Sequence, residues 1–95
     1  YEEKAKEYLN HESLPYLQTL QSHLEKMEPW TKEAIHSLLK TISEQYTVKM
    51  GKIAQPLRVA VTGWTMSPSI DATLVLLGKE RTIERLCKAL QFIEK

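Results

Sequence analysis

The chain has 95 residues, 42% of them apolar, with a mean hydropathy of −0.37. That is enough for one folded domain with one core, and it argues against disorder. The net charge of +1 conceals an asymmetry: residues 1–48 carry five Lys or Arg against eight Asp or Glu (net −3), and residues 49–95 carry eight against four (net +4), a modest pointer to a polyanionic partner, though small domains also split this way by chance.

In chain order, residues 2–9 (EEKAKEYL) are mostly helix formers, with Ala5, Tyr8 and Leu9 on one face. Leu14-Pro15 suits a helix start, since a proline in the first turn forfeits an N–H that has no partner there anyway. Leu17, Leu20, Leu24 and Met27 follow at steps of three and four, and Pro29 prevents continuation. Thr31 is an N-cap candidate, and Glu33 complements the positive end of the helix dipole. Ala34, Ile35, Leu38, Leu39 and Ile42 form a second stripe, which Gly51 breaks. Leu57, Val59 and Val61 alternate with Arg58 and Ala60 like a short strand, but no second strand exists to pair with it, so a helix starting near Pro56 is the better reading. A loop follows Thr62-Gly63, and Ser67-Pro68 leads into a helix at Ser69 or Ile70. Gly78 separates the apolar run Ala72 to Leu77 from a last helix with Ile83, Leu86, Leu90 and Ile93 inward and alternating charges outward. The expectation is an all-α fold, an irregular bundle of about five helices in one domain over residues 1–95.

No residue pattern supports catalysis. His11, His23 and His36 are spaced 12 and 13 apart, with no HxxxH or CxxC pair, so no metal site is expected. The three glycines never cluster into a phosphate-cradling loop. Cys87, the single cysteine, excludes an internal disulfide, fits a reducing cytoplasm, and beside Leu86 reads as buried and structural. No apolar run reaches the roughly 20 residues of a membrane span, and the acidic N-terminus does not read as a secretory signal. One segment asks for its own explanation: Trp64, Thr65, Met66, Ser67 and Pro68 put a Trp and a Met in a polar turn. Either the turn folds back to cap the core, or an unpaired base or a protein surface packs there. Stacking of a base on an aromatic ring contributes about 1–3 kcal/mol.

The stretch Met50-Gly51-Lys52-Ile53-Ala54-Gln55-Pro56-Leu57-Arg58-Val59-Ala60-Val61-Thr62-Gly63, with Ser67-Pro68-Ser69-Ile70 and Leu76-Leu77-Gly78-Lys79-Glu80-Arg81, closely resembles the C-terminal signature of glutamyl-tRNA synthetases, which are class I aminoacyl-tRNA synthetases. Upstream, Tyr1-Glu2-Glu3-Lys4-Ala5 resembles the start of that family's final subdomain, and Trp30-Thr31-Lys32-Glu33-Ala34-Ile35 its middle helix, so the likeness covers nearly the whole chain. It implies the C-terminal anticodon-binding domain of an enzyme that activates glutamate with ATP and Mg²⁺ and transfers it to tRNA. It also implies that catalysis and both cofactors belong to another portion of that enzyme. The expected partners are the anticodon loop of glutamate tRNA and the catalytic half of the same chain, in a cytoplasmic monomer with no membrane contact.

Carried over residue by residue, the resemblance assigns Arg58 to the anticodon, and Ser67, Pro68 and Ile70 to the loop that lines the anticodon bases. Lys40 stands where some relatives carry arginine and would supply a point charge rather than a planar fork. Trp64, Thr65 and Met66 complete the loop, at positions of which the first and last vary in the family. Lys49 and Lys52 are candidates to hold phosphates without reading sequence. A different reading of the same residues is a helical protein–protein interaction module with an exposed Trp64/Met66 knob.

Overall fold

The computed structural model describes residues 7–64 and 68–94, and among these the regular structure is five α-helices and no strand. They are α1 (Leu14–Glu25), α2 (Lys32–Gln45), α3 (Met50–Thr62), α4 (Ile70–Leu77) and α5 (Lys79–Glu94). The Cα radius of gyration is 11.9 Å.

Local chemistry accounts for most of the boundaries. Pro15 occupies the first turn of α1, and Leu17, Leu20 and Leu24 are fully buried along one face. The hydroxyl of Thr31 accepts the Ala34 N–H at 3.1 Å and caps α2. Gly63 ends α3 with φ 79°, and its N–H closes onto the Val59 carbonyl at 2.8 Å. Gly78 joins α4 to α5 at φ 84° and ψ 160°, a region open essentially to glycine alone.

The end of α2 is less expected. The Val48 N–H donates to the Ser43 carbonyl at 2.9 Å, and the Thr47 N–H to the Glu44 carbonyl at 3.2 Å, so the helix closes in a Schellman motif. The left-handed position is taken by Thr47 at φ 57° rather than by glycine. A β-branched residue there costs about 1–2 kcal/mol, of which the greater unfolded-state entropy of glycine would offset about 0.5–1. Thr47→Gly is therefore expected to stabilise the domain by roughly 0.5–1 kcal/mol, read as a higher urea midpoint at unchanged slope. A lower midpoint would show that the Thr47 side chain supplies more than its backbone strain removes.

Several sequence expectations differ from the structure. The helix around residues 56–63 starts at Met50, not near Pro56, and Gly51 lies within its first turn instead of breaking the chain. Pro56 sits inside α3, where it cannot donate to the Lys52 carbonyl, a defect that costs about 3 kcal/mol in an isolated helix. Burial offsets it: Ile53, Ala54, Pro56, Leu57, Val59, Ala60 and Val61 are all buried, and α3 touches each of the other four helices. Residues 7–9 form a turn and bend, not a helix, and the rest of the expected N-terminal helix lies outside the described residues. Leu9 is nevertheless buried, as its apolar character required. Cys87 is exposed, not buried: one residue beyond Leu86 is a 100° rotation, which carries it off the face formed by Leu86, Ala89, Leu90 and Ile93. Met27 follows the end of α1 and is half-buried against the core.

Two long-range bonds fasten the α1–α2 connection to the far end of the bundle. The Trp30 indole N–H donates to the Leu74 carbonyl at 2.9 Å, and Lys79 Nζ to the Met27 carbonyl at 3.0 Å. The ring of Tyr46, just past α2, meets Tyr16 of α1 edge to face at 4.9 Å, while its hydroxyl lies 2.8 Å from that of Thr19. α1 has its most extensive packing with α5, which closes the bundle.

Candidate functional site

Because the apolar residues of α3 all turn inward, its polar residues share the remaining strip. Gly51, Gln55, Arg58 and Thr62 recur at steps of four, three and four, with Lys52 beside them. Arg58 is half-buried along its length; its Nη1 donates to the Gln55 side-chain oxygen, and its backbone carbonyl accepts the Thr62 hydroxyl at 2.7 Å. The guanidinium is a planar donor fork, and its bond to Gln55 restricts its orientation.

The strip ends at Trp64. After the left-handed turn at Gly63, the Trp64 N–H donates to the Thr62 hydroxyl at 3.1 Å, which holds the residue close to the helix end. Its side chain is 59% exposed, so it does not fold back to cap the core. Across the turn, Pro68 is exposed, and its carbonyl lies 3.2 Å from the hydroxyl of the buried Thr73, which also reaches the Ser69 carbonyl at 3.0 Å. Thr73 thus ties the entry of α4 to the loop before it. Thr65, Met66 and Ser67 lie outside the described residues.

Ile70 does not belong with the exposed set. It is 7% exposed and part of the core, because the first residue of α4 points its side chain back into the bundle, so it supports the loop by packing and offers no surface to a ligand. Asp71, beside it, has a carboxyl held below its ordinary pKa, chiefly by a hydrogen bond from the Ser69 side chain and further by the Ala72 N–H at 2.9 Å and the charge of Lys32, against an opposing effect of burial.

The lysines are dispersed. Lys49 is exposed at the N-cap of α3, and Lys52 lies in its first turn, 3.6 Å from the carboxylate of Glu12, with both partners largely exposed. No acidic residue occupies that first turn, so the positive pole of α3 is reinforced by two cations. Lys40 is exposed on α2. From Lys52 to Arg58 is about 9 Å along the helix axis at 1.5 Å per residue, so the two groups can address neighbouring parts of one extended ligand. None of the 550, 880 and 330 Å³ cavities is lined by Lys40, Arg58 or Pro68. Arg58 and Pro68 lie on the outer strip of α3 and in the turn beyond it, while Lys40 stands apart on α2.

Sequence reasoning missed Thr62 and Thr73, whose hydroxyls fix the two ends of the loop, and Arg85, whose Nη1 reaches from α5 to the Val61 carbonyl at 2.7 Å. The threonines carried a readable signal, a hydroxyl four residues after a helical carbonyl at each site. Arg85 carried none, because its partner is 24 residues away. Among the described residues, no three His, Cys, Asp or Glu side chains converge as metal ligands, and no helix is long and apolar enough to cross a membrane.

A family model described as "Anticodon binding domain" matches residues 1–90. Among solved structures, a glutamate tRNA ligase from Elizabethkingia meningosepticum, crystallised in complex with its amino acid, matches with a TM-score of 0.88 and 28% identity over 96% of this chain. The chain spans 18% of the length of that ligase.

Proposed function

Because the chain belongs to the anticodon-binding domain family, we propose that it is the part of a glutamate–tRNA ligase that grips the anticodon loop of tRNA and takes no part in the chemical step. The observation that carries the reading is the strip on α3: Arg58 with its bond to Gln55, an exposed Trp64 beyond it, and lysines at the opposite end of the same helix. RNA loops are recognised through splayed bases that stack on aromatic rings and are read on their edges, while cations hold the phosphates. Arg58 supplies the planar donor, Trp64 the ring, Pro68 an apolar rim, and Lys40, Lys49 and Lys52 the phosphate contacts. Thr65, Met66 and Ser67 complete the loop in this reading.

Glutamate, ATP and Mg²⁺ would be engaged by a catalytic portion of the ligase. A monomer acting in the cytoplasm is part of the same reading.

The test is titration of the 95-residue chain with an anticodon hairpin of glutamate tRNA, followed by amide NMR. Shifts clustered at Lys40, Lys52, Arg58 and Trp64, with affinity falling steeply as salt rises, are expected. Shifts confined to other surfaces, or no response to salt, would remove the RNA reading and leave the protein-binding module as the alternative. The ion pair of Lys52 gives a finer check. Exposed pairs contribute at most about 1 kcal/mol, so RNA can displace Glu12, and Glu12→Gln is expected to tighten hairpin binding by about two- to fivefold at low salt. Unchanged or weaker binding would take Lys52 off the list of phosphate contacts.

A further inference from the structure

We infer that Arg85 is the positioning residue for the turn that carries Trp64, an inference whose consequence for RNA rests on the reading above but whose structural part does not. The last carbonyls of a helix lack intrahelical partners and concentrate partial negative charge. α3 has no basic residue in its own last turn. The Val59 carbonyl is taken by the Gly63 N–H at 2.8 Å, and the Val61 carbonyl by Arg85 Nη1 at 2.7 Å, reaching across from α5. Glu84, the adjacent acid on α5, pairs with Lys88 at 3.4 Å, which leaves the carbonyl as the group that Arg85 engages.

Among the described residues, the other hydrogen bonds at the turn are local. Gly63 closes on Val59, and the Thr62 hydroxyl holds Trp64; both fix the turn relative to α3 alone. Arg85 is the long-range member of the set among the described residues. It joins the end of α3 to α5 across a 330 Å³ cleft lined by Ala60, Val61, Thr62, Gly63, Arg85 and Lys88. A charge-assisted bond to a helix-terminal carbonyl holds that last turn against fraying, and the ordering of Trp64 is then complete before a base arrives. Without it, the ligand must order the turn as it binds.

The experiment compares the 95-residue chain with Arg85→Ala and Arg85→Lys, using Trp64→Phe to assign the indole signals. In the free protein, the ¹⁵N heteronuclear NOE at Gly63 and Trp64 is expected to fall in Arg85→Ala while that of the Trp30 indole holds. Hairpin affinity is expected to fall about tenfold with an unchanged salt slope. Arg85→Lys should restore both, since one carbonyl needs one donor and one charge. An undiminished NOE in Arg85→Ala overturns the inference. Weaker binding with a salt slope shallower by about 0.7 also overturns it, because that is the signature of a lost phosphate contact. A melt that collapses in both variants overturns it too, by making Arg85 a requirement of the fold. Should the parent chain bind no hairpin, the proposed function fails, and the NOE comparison still decides the role of Arg85.

Discussion

Leu57→Ala is expected to destabilise the domain by about 2–5 kcal/mol, the range for removing a fully buried leucine from a packed core. Leu57 has no exposed surface, and it lies at the middle of α3, the helix that touches all the others. α3 also contains Pro56 and, in its first turn, Gly51, so its own sequence supports it poorly as an isolated helix. Its persistence depends on the tertiary contacts of its buried face, of which Leu57 is a fully buried member. For a domain of this size the loss corresponds to a fall in melting temperature of about 10 °C or more, measurable by circular dichroism. A melt within about 3 °C of the parent would show that neighbouring side chains close the cavity and that α3 is held in some other way.

The residue next to it should behave in the opposite manner. Arg58→Ala is expected to weaken binding of the anticodon hairpin by about 1–3 kcal/mol, roughly ten- to a hundredfold, while the melting temperature moves little. Arg58 is half-buried on the outer strip, where Gln55 of the same helix is one of its partners, and it is not a member of the hydrophobic core, so its removal opens no core cavity. Arg58→Lys should recover only part of the affinity, because an ammonium keeps the charge and loses the planar fork. Isothermal titration of both variants, with melts recorded alongside, separates the effects. Hairpin affinity unchanged in Arg58→Ala would remove the residue from the interface. A large fall in stability would make it a structural residue. The contrast between Leu57 and Arg58 comes from one 100° step around a helix.

Much of the architecture follows from signals that act within a turn of the chain. Pro15, Thr31, Gly63 and Gly78 each mark a helix boundary through chemistry confined to a few neighbouring residues: a missing N–H, a hydroxyl acceptor, or a backbone angle that glycine tolerates. The stripes of α1, α2 and α5 were legible for the same reason, because a periodicity of three and four is a property of one helix. Arg58 was named from its resemblance to a family signature and Trp64 from its place in a polar turn; Arg58 lies half-buried on the outer strip of α3, and Trp64 is exposed beyond its end.

What tertiary structure decided concerns energies that no single segment contains. The start of α3 was misread because Gly51 and Pro56 are helix-breaking on their own, and only burial of seven of its thirteen residues against four partners outweighs that cost. Ile70 and Cys87 exchanged their expected environments because burial depends on which side of a helix its neighbours occupy. The bonds of Arg85 to Val61 and Trp30 to Leu74 span 24 and 44 residues. Local sequence sets where helices begin, end and turn their apolar faces; long-range pairings exist only after chain entropy has been overcome by packing, so the chain encodes them jointly and no short stretch reveals them.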